Sequence, residues 1–288
     1  MTARKSAVVT GASTGIGWGT TKVLIERGFH VFGTVRRKTD AERLQAEFGE
    51  AFMPLLMDVT DETAIRMSAE VVSKWLGSAT LDGLVNNAGI VIGGPLLHLA
   101  PSEYRRQMEV NLIGPLLVTQ AFAPLLGVNR VRTGKPGRII NISSVVGKFG
   151  MPFIGAYVAS KHGLEGFSES LRRELMLYDI DVIVIGPGSV VTPIWEKAEA
   201  EDFSIFDKTD YGPIIRKFTR FIIDDGRKGL TPEALGEAVY TALTTPHPKT
   251  RYAVVPQRLK NWTIPQLLPK RLVDRFIRKQ FSLVPNRG

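Results

Sequence analysis

No cysteine occurs among the 288 residues. Disulfides, thiolate nucleophiles and cysteine-held zinc or iron–sulfur centres are thereby excluded. Histidine is scarce too: His30, His98, His162 and His247 stand far apart, and no two share the spacing a helical metal site uses. No metal site is expected. No apolar run of 18 residues is evident. The opening MTARKSAVVTGASTGIG offers too few apolar residues before its glycines for a secretory signal. The expectation is a soluble cytoplasmic protein, with a peripheral position at a membrane surface as a variant discussed below.

What is present is ordinary for a globular chain: 44% hydrophobic and 23% charged residues, in a length that suits one large α/β domain. The net charge of +9 is unevenly placed. Residues 247–288 carry ten Lys or Arg against Asp274 alone, so residues 1–246 are balanced. A nucleic-acid binder would spread its basic residues over a face, and none is expected as a partner.

Apolar runs of strand length alternate with amphipathic stretches. Strands are expected at 6–10, 30–35, 52–59, 81–87, 137–143, 181–186 and 251–255. Most are rich in Val and Ile without strict alternation, as in strands buried on both faces. Helices are expected at 15–28, 39–49, 61–77, 101–127, 155–178 and 231–245. This order predicts an α/β fold: one doubly wound, Rossmann-like parallel sheet with helices on both faces, spanning residues 1–255. Residues 193–230 interrupt the rhythm with aromatic and charged residues. They read as a substrate lid beyond the strand ends, or alternatively as a surface helical hairpin. Residues 256–288 form a basic amphipathic extension. Its stripe, Leu268, Leu272, Val273, Phe276, Ile277 and Phe281, fits either a membrane surface through residues 265–288 or packing on protein.

The chemistry-bearing motifs follow this frame. TGASTGIG joins the first strand to the first helix, with Gly11, Gly15 and Gly17 around Ser13, Thr14 and Ile16. Glycines there let the backbone approach a pyrophosphate resting on the helix N-terminus, though a tight structural turn wants glycine as well. The second strand ends Thr34-Val35-Arg36-Arg37, with Val35 where an NAD site usually holds an acid. Guanidiniums suit a 2′-phosphate, so NADP(H) is the expected cofactor, with NAD as the alternative. Asp58, beside Val59 at the end of the third strand, could accept from the adenine amino group or cap the next segment. Tyr157 and Lys161 lie one helical turn apart in YVASK. An ammonium so placed is expected to lower the phenol pKa from about 10 towards the range of general acid–base work. Ser144 follows the strand IINIS and could hold a carbonyl oxygen beside the tyrosine. Turn chemistry is the plain alternative for Ser143 and Ser144.

In this order and spacing the motifs resemble the short-chain dehydrogenase/reductase family from about residue 5 to residue 245. They are TGASTGIG at 10–17, NNAG at 86–89, Asn111 in VNLIG, Ser144, YVASK at 157–161 and PGSVVT at 187–192. The tail is also similar to those of retinol/steroid dehydrogenase-like members. The resemblance implies Tyr157 as general acid/base, with Lys161 lowering its pKa and holding the nicotinamide ribose. It implies Ser144 orienting the substrate oxygen and Asn111 holding a water for proton relay. It places Asn87, Ala88 and Gly89, and further along Pro187, Gly188, Val190 and Thr192, on the cofactor cleft together with the glycine loop, Asp58 and Val59. One departure is Gly186 before Pro187, where many members have Asn. The family implies hydride transfer between a nicotinamide and an alcohol or carbonyl, and a homo-oligomer. The aromatic residues of the lid and of 145–153 suggest an apolar alcohol, ketone or aldehyde as substrate. The alternatives are a non-catalytic NADP-binding or membrane-associated protein on the same fold, and an NAD-preferring dehydrogenase.

Overall fold

The computed structural model describes residues 4–200 and 202–285. Residues 1–3 of the expected main domain, and 286–288 of the tail with the Arg287 counted in its charge, lie outside the described residues. Seven strands form one parallel sheet: β1 Ser6–Val9, β2 His30–Val35, β3 Phe52–Leu56, β4 Gly83–Asn86, β5 Arg138–Ile142, β6 Asp181–Pro187 and β7 Arg251–Val254. The order across the sheet is β3-β2-β1-β4-β5-β6-β7. β1 pairs with both β2 and β4, so chain progression reverses beside it and a crevice opens above the C-terminal strand ends.

Strand alternation explains the two apolar layers. Ala7, Val9, Val31, Val35, Val85, Ile140 and Ile183 face one side. They are covered by α1 (Gly15–Glu26), α2 (Lys38–Phe48) and α9 (Pro232–Thr244). Val8, Phe32, Leu84, Ile139 and Val182 face the other, under α3 (Glu62–Leu76), α5 (Gly114–Phe122) and the far end of α6 (Gly155–Glu174). Both faces are buried, which is why these strands read as continuous Val/Ile runs. Asp61 caps α3 as its position before ETAIRM suggests, its carboxylate accepting from the Thr63 and Ala64 amides.

The expectation that no apolar run reaches spanning length needs correction. The continuous helix of residues 101–126 is long and apolar enough by composition. It is nevertheless packed on the sheet through Val118, Phe122, Leu125 and Leu126. It comprises α4 (Pro101–Met108), one wide π turn (Glu109–Ile113), α5 and a closing 3₁₀ turn.

α1 and α9 touch backbone to backbone. A Cβ on Gly19 would lie 2.4 Å from the Pro232 carbonyl carbon, and one on Gly236 2.6 Å from the Gly19 oxygen. Backbone atoms cannot swing aside as a side-chain tip can. Gly19→Ala is therefore expected to destabilise the fold by about 1–3 kcal/mol in urea unfolding. An unchanged midpoint would show that the two helices separate freely.

The segment after β6 contains α7 (Ile194–Glu199) and α8 (Gly212–Gly226). After β7 come a π turn (Leu259–Thr263), α10 (Ile264–Leu267) and α11 (Lys270–Phe281). Phe281 is buried against Phe218 and Phe221 of α8. The apolar stripe of the tail meets the segment after β6 through Ile277, Phe281 and Leu283, while Lys270, Arg271, Arg275, Arg278 and Lys279 stay exposed. Phe276, 59% exposed, faces away from that seam.

Candidate active site

The crevice is assembled from the ends of β1, β4, β5 and β6. Gly11 and Gly15 take φ of +68° and +56°, a region where other residues are strained. A Cβ on Gly17 would stand 2.1 Å from the Gly11 oxygen, so the loop folds tightly onto α1. The Thr14 side chain makes no capping hydrogen bond, which leaves the first amides of α1 without a side-chain acceptor. An open helix N-terminus behind positive-φ glycines fits a dinucleotide pyrophosphate. Gly15 also lies against Thr192, whose Cγ2 would be 3.0 Å from an added Cβ, so both walls of the crevice meet there.

The NNAG segment braces this loop. Thr10 Oγ1 accepts from the Asn87 and Ala88 amides, both at 2.9 Å. Asn87 Nδ2 donates to the carbonyls of Thr10 (2.8 Å) and Gly11 (3.2 Å). Below it Asn86 Nδ2 donates to Thr119 Oγ1 (3.1 Å) and Asn141 Oδ1 (2.9 Å), tying β4 to α5 and β5 in the core. Gly89 sits on Asn111, whose Oδ1 would be 3.3 Å from an added Cβ.

Asn111 lies on the π turn, 1% exposed. Its Oδ1 accepts from Ile90 N (2.9 Å), and its Nδ2 donates to Ile90 O (2.9 Å) and Ser160 Oγ (3.2 Å). All its amide hydrogens are committed, so the side chain braces protein. Pro115 has no N–H to offer the Asn111 carbonyl one turn back, in keeping with the wide turn there. One turn before Asn111, Gln107 accepts from Ile92 N and donates to Ile90 O, both at 2.8 Å. The sequence reading missed Gln107, because an isolated glutamine in a helix carries no spacing signal.

Ser144 leaves β5 and opens a short turn, its Oγ accepting from Val146 N at 3.3 Å. Tyr157 and Lys161 rise from the first turns of α6. Lys161 Nζ donates to the Ile142 carbonyl at 2.8 Å and stands 5.6 Å from the centre of the Tyr157 ring. Burial pushes the Lys161 ammonium down to about 8, with the Glu165 carboxylate opposing. The Tyr157 phenol behaves differently from the expectation. Burial pushes it up, and the neighbouring Ser144 hydroxyl draws it only part of the way back. The ammonium, directed at a backbone oxygen rather than the phenol oxygen, does not offset that burial.

Residues 5–202 match the profile of the short chain dehydrogenase family. The chain is 36% identical over 276 residues to the NADPH-dependent 3-dehydrocapnine reductase of Ornithobacterium rhinotracheale, covering 96% of this chain and 97% of that one. It is 33% identical to human retinol dehydrogenase 5, over 92% of this chain and 85% of the relative. A short-chain dehydrogenase from Streptomyces avermitilis superposes with a TM-score of 0.76 at 25% identity, covering 98% of each chain. The chain belongs to the short-chain dehydrogenase/reductase family. It is an oxidoreductase on a Rossmann-like fold.

In this short-chain dehydrogenase the arginines after β2 divide their tasks. Arg37 makes a fork to Asp40, Nε to Oδ2 at 2.8 Å and Nη2 to Oδ1 at 3.1 Å, and holds that carboxyl below its usual range. The fork ties Arg37 to the start of α2, while its guanidinium stays 74% exposed at the strand end. Among the described residues Arg36 has only Asp58 as an ionic partner, 3.9 Å away, and is 71% exposed. Asp58 itself caps Thr60 through its amide (3.0 Å) and hydroxyl (2.8 Å). A third guanidinium went unnoticed in the sequence. Arg43 Nη2 donates to the Ser13 carbonyl at 2.6 Å, which suspends it over the glycine loop. Its signal was its position two helical turns beyond Arg36, on the α2 face turned to that loop.

The remaining expected residues line the same crevice or hold its walls. Ile16 packs on the β1 side of the core, and Val59 wedges against Gly114, where a Cβ would stand 2.9 Å from it. Pro187 ends β6 in register with Val254, and the Gly188 amide donates to the Val254 carbonyl at 3.0 Å. Val190 is buried and bridges to Leu230 across the base of the lid segment. The aromatics expected to line a pocket are partly spent on packing. Phe206, Ile215 and Phe218 are buried with Phe153 and Phe281, because α8 must cover its own apolar face as well as that of α11. Phe203 is left half-buried beside Gly93, and Tyr211 beside His98.

Proposed function

We propose that this protein is an NADPH-dependent reductase of apolar ketones or aldehydes, working in the crevice between the glycine loop and Ser144. The observation that carries the reading is the placement of Tyr157 one helical turn before the buried Lys161, whose ammonium stands 5.6 Å from the phenol ring centre, with Ser144 at the end of the neighbouring strand. Ser144 orients the substrate carbonyl oxygen. Tyr157 donates its proton to that oxygen as negative charge develops on it, the work of a general acid. Lys161 supplies positive charge beneath the pair and holds the nicotinamide ribose, and Asn111 retains the water through which the proton is replaced. When bound, NADPH supplies the hydride. Its pyrophosphate is held by the Gly11–Gly17 loop, and its 2′-phosphate by Arg36 and Arg43. The NADPH named for the 3-dehydrocapnine reductase supports the cofactor. The half-buried aromatic wall at Phe203 and Tyr211, and the retinol named for another relative, support an apolar substrate.

Nicotinamide fluorescence during titration with NADPH and NADH tests the cofactor. NADPH is expected to bind at least about tenfold more tightly, the worth of a charge-assisted hydrogen bond. Arg36→Ala should remove most of that difference while leaving NADH affinity unchanged. Equal affinities for both nucleotides in the unaltered chain would reject the 2′-phosphate assignment.

A further inference from the structure

A buried ion-pair network lies behind Ser144, on residues that neither the reaction nor the family's motifs assign. Arg251, the first residue of β7, runs along the sheet face beneath α6. Its Nε donates to both Glu165 oxygens, at 3.1 and 3.0 Å, and its Nη2 donates to the Ser144 carbonyl at 3.2 Å. Glu165 is only 6% exposed and takes a second cation, Lys148, at 3.3 Å. The Trp262 ring, from the C-terminal extension, covers the guanidinium with 4.2 Å between ring centre and Cζ.

Two features make this arrangement specific to Ser144. The last ladder bond between β5 and β6 is Ser143 N to the Ile185 carbonyl, so the Ser144 carbonyl lies past the sheet. It accepts from Gly147 N at 3.1 Å and from Arg251 Nη2, and both of its lone pairs are filled. That fixes the peptide plane from which the Ser144 side chain is aimed. The second feature is Gly186. A Cβ there would stand 2.3 Å from Arg251 Nη2, so the guanidinium occupies the space that a larger residue before Pro187 would fill. The departure noted in the sequence and the arginine belong to one arrangement.

We propose that Arg251, neutralised by Glu165 and clamped by Trp262, is a positioning residue that holds Ser144 in its catalytic orientation, so that the C-terminal extension helps to set the active site. The proposal rests on the reading of Ser144 given above. Arg251 touches no reacting atom and acts through the Ser144 backbone.

Arg251→Met strands a buried carboxylate and risks the fold. Gly186→Ala is therefore the primary variant. Its backbone conformation tolerates alanine, and the added methyl presses on the Arg251 guanidinium while leaving the buried ion pair's charges in place. With NADPH and decanal as the carbonyl probe, Gly186→Ala is expected to lower kcat about tenfold or more, as displacement of a positioned group by a fraction of an ångström does. The NADPH dissociation constant should stay within about twofold. Where Arg251→Met folds, the double variant should lose no more than the worse single one, because both act on one contact. Hydrogen exchange in the peptide spanning 143–150 should rise in Gly186→Ala at an unchanged thermal midpoint. Trp262→Ala should show the same local rise, and Trp262→Phe, which keeps a ring over the guanidinium, should not. Full kcat with unaltered exchange at 143–150 would overturn the proposal, as would losses that multiply in the double variant. If the unaltered chain reduces no carbonyl probe, the functional reading fails instead, and the exchange measurement still decides the positioning of Ser144.

Discussion

Tyr157→Phe is expected to lower kcat by about a thousandfold or more while NADPH binds as before. The substitution removes one oxygen and keeps the ring, so the packing around the start of α6 is preserved. General acid catalysis by a positioned side chain contributes roughly 10²–10⁴ in rate, and little else here can protonate the substrate oxygen. Ser144 can orient that oxygen, but its hydroxyl is a far weaker acid. The Lys161 ammonium gives one of its three N–H groups to the Ile142 carbonyl, and the reading above gives the others to the ribose. Stopped-flow reduction of a carbonyl probe, with nicotinamide fluorescence for binding, separates the two effects. A variant that keeps more than about a tenth of the rate would remove Tyr157 from the role of acid.

The second large effect is on stability and its dependence on pH. Lys161 is 4% exposed, and burial pushes its ammonium down to about 8, against 10.5 for the unperturbed side chain. Below pH 8 the group is charged in both folded and unfolded chains, and burying that charge opposes folding. Between about 8 and 10.5 the folded chain has released the proton while the unfolded chain keeps it. The unfolded state then binds more protons, so stability rises with pH through this window. The whole rise amounts to about 3 kcal/mol. Lys161→Met removes the titrating group at similar volume, and loss of the bond to Ile142 adds an offset that does not change with pH. Urea unfolding of both chains from pH 7 to 10 should show their difference climbing steeply above pH 8 in favour of the unaltered chain. A flat difference would mean that the ammonium is solvated where the structure buries it.

The parts of this fold that could be read from the chain are those governed by local rules. The seven strands announced themselves as short apolar runs, most clearly in β5 and β6, where burial on both faces favours Val and Ile, and their expected ends lie within three residues of the observed ones. Asp61 before α3 and the glycines of residues 11–17 have meanings that depend mainly on adjacent backbone. The residues that went unread obtain their meaning from elements far away in sequence. Arg251 is an unremarkable strand-leading arginine until Glu165, 86 residues earlier, and Ser144 are brought beneath it. Arg43 looks like one more solvated helix charge until the glycine loop arrives at its tip. Arg37 has its partner Asp40 in plain view three residues on. The expected effect of Lys161 on Tyr157 rested on their spacing alone. Spacing places two side chains on one face of a helix, and it does not say toward which oxygen the ammonium bends.

The seam between α1 and α9 has a consequence for how the chain comes into being. Its two halves are the second and the penultimate major elements of the sheet domain, and the Gly19 backbone fits directly against Pro232. A growing polypeptide that has released β1 through β6 has most of its sheet and one finished apolar layer. The opposite layer is still open over Ala7, Val9 and Ile140, awaiting Leu235 and Val239. Such a nascent chain exposes a long greasy trough for most of its synthesis, and folding rates fall as contacts span more sequence. A ribosome stalled anywhere before residue 244 should hold a species that chaperones recognise, and release of the last hundred residues is the event that turns it into a protein.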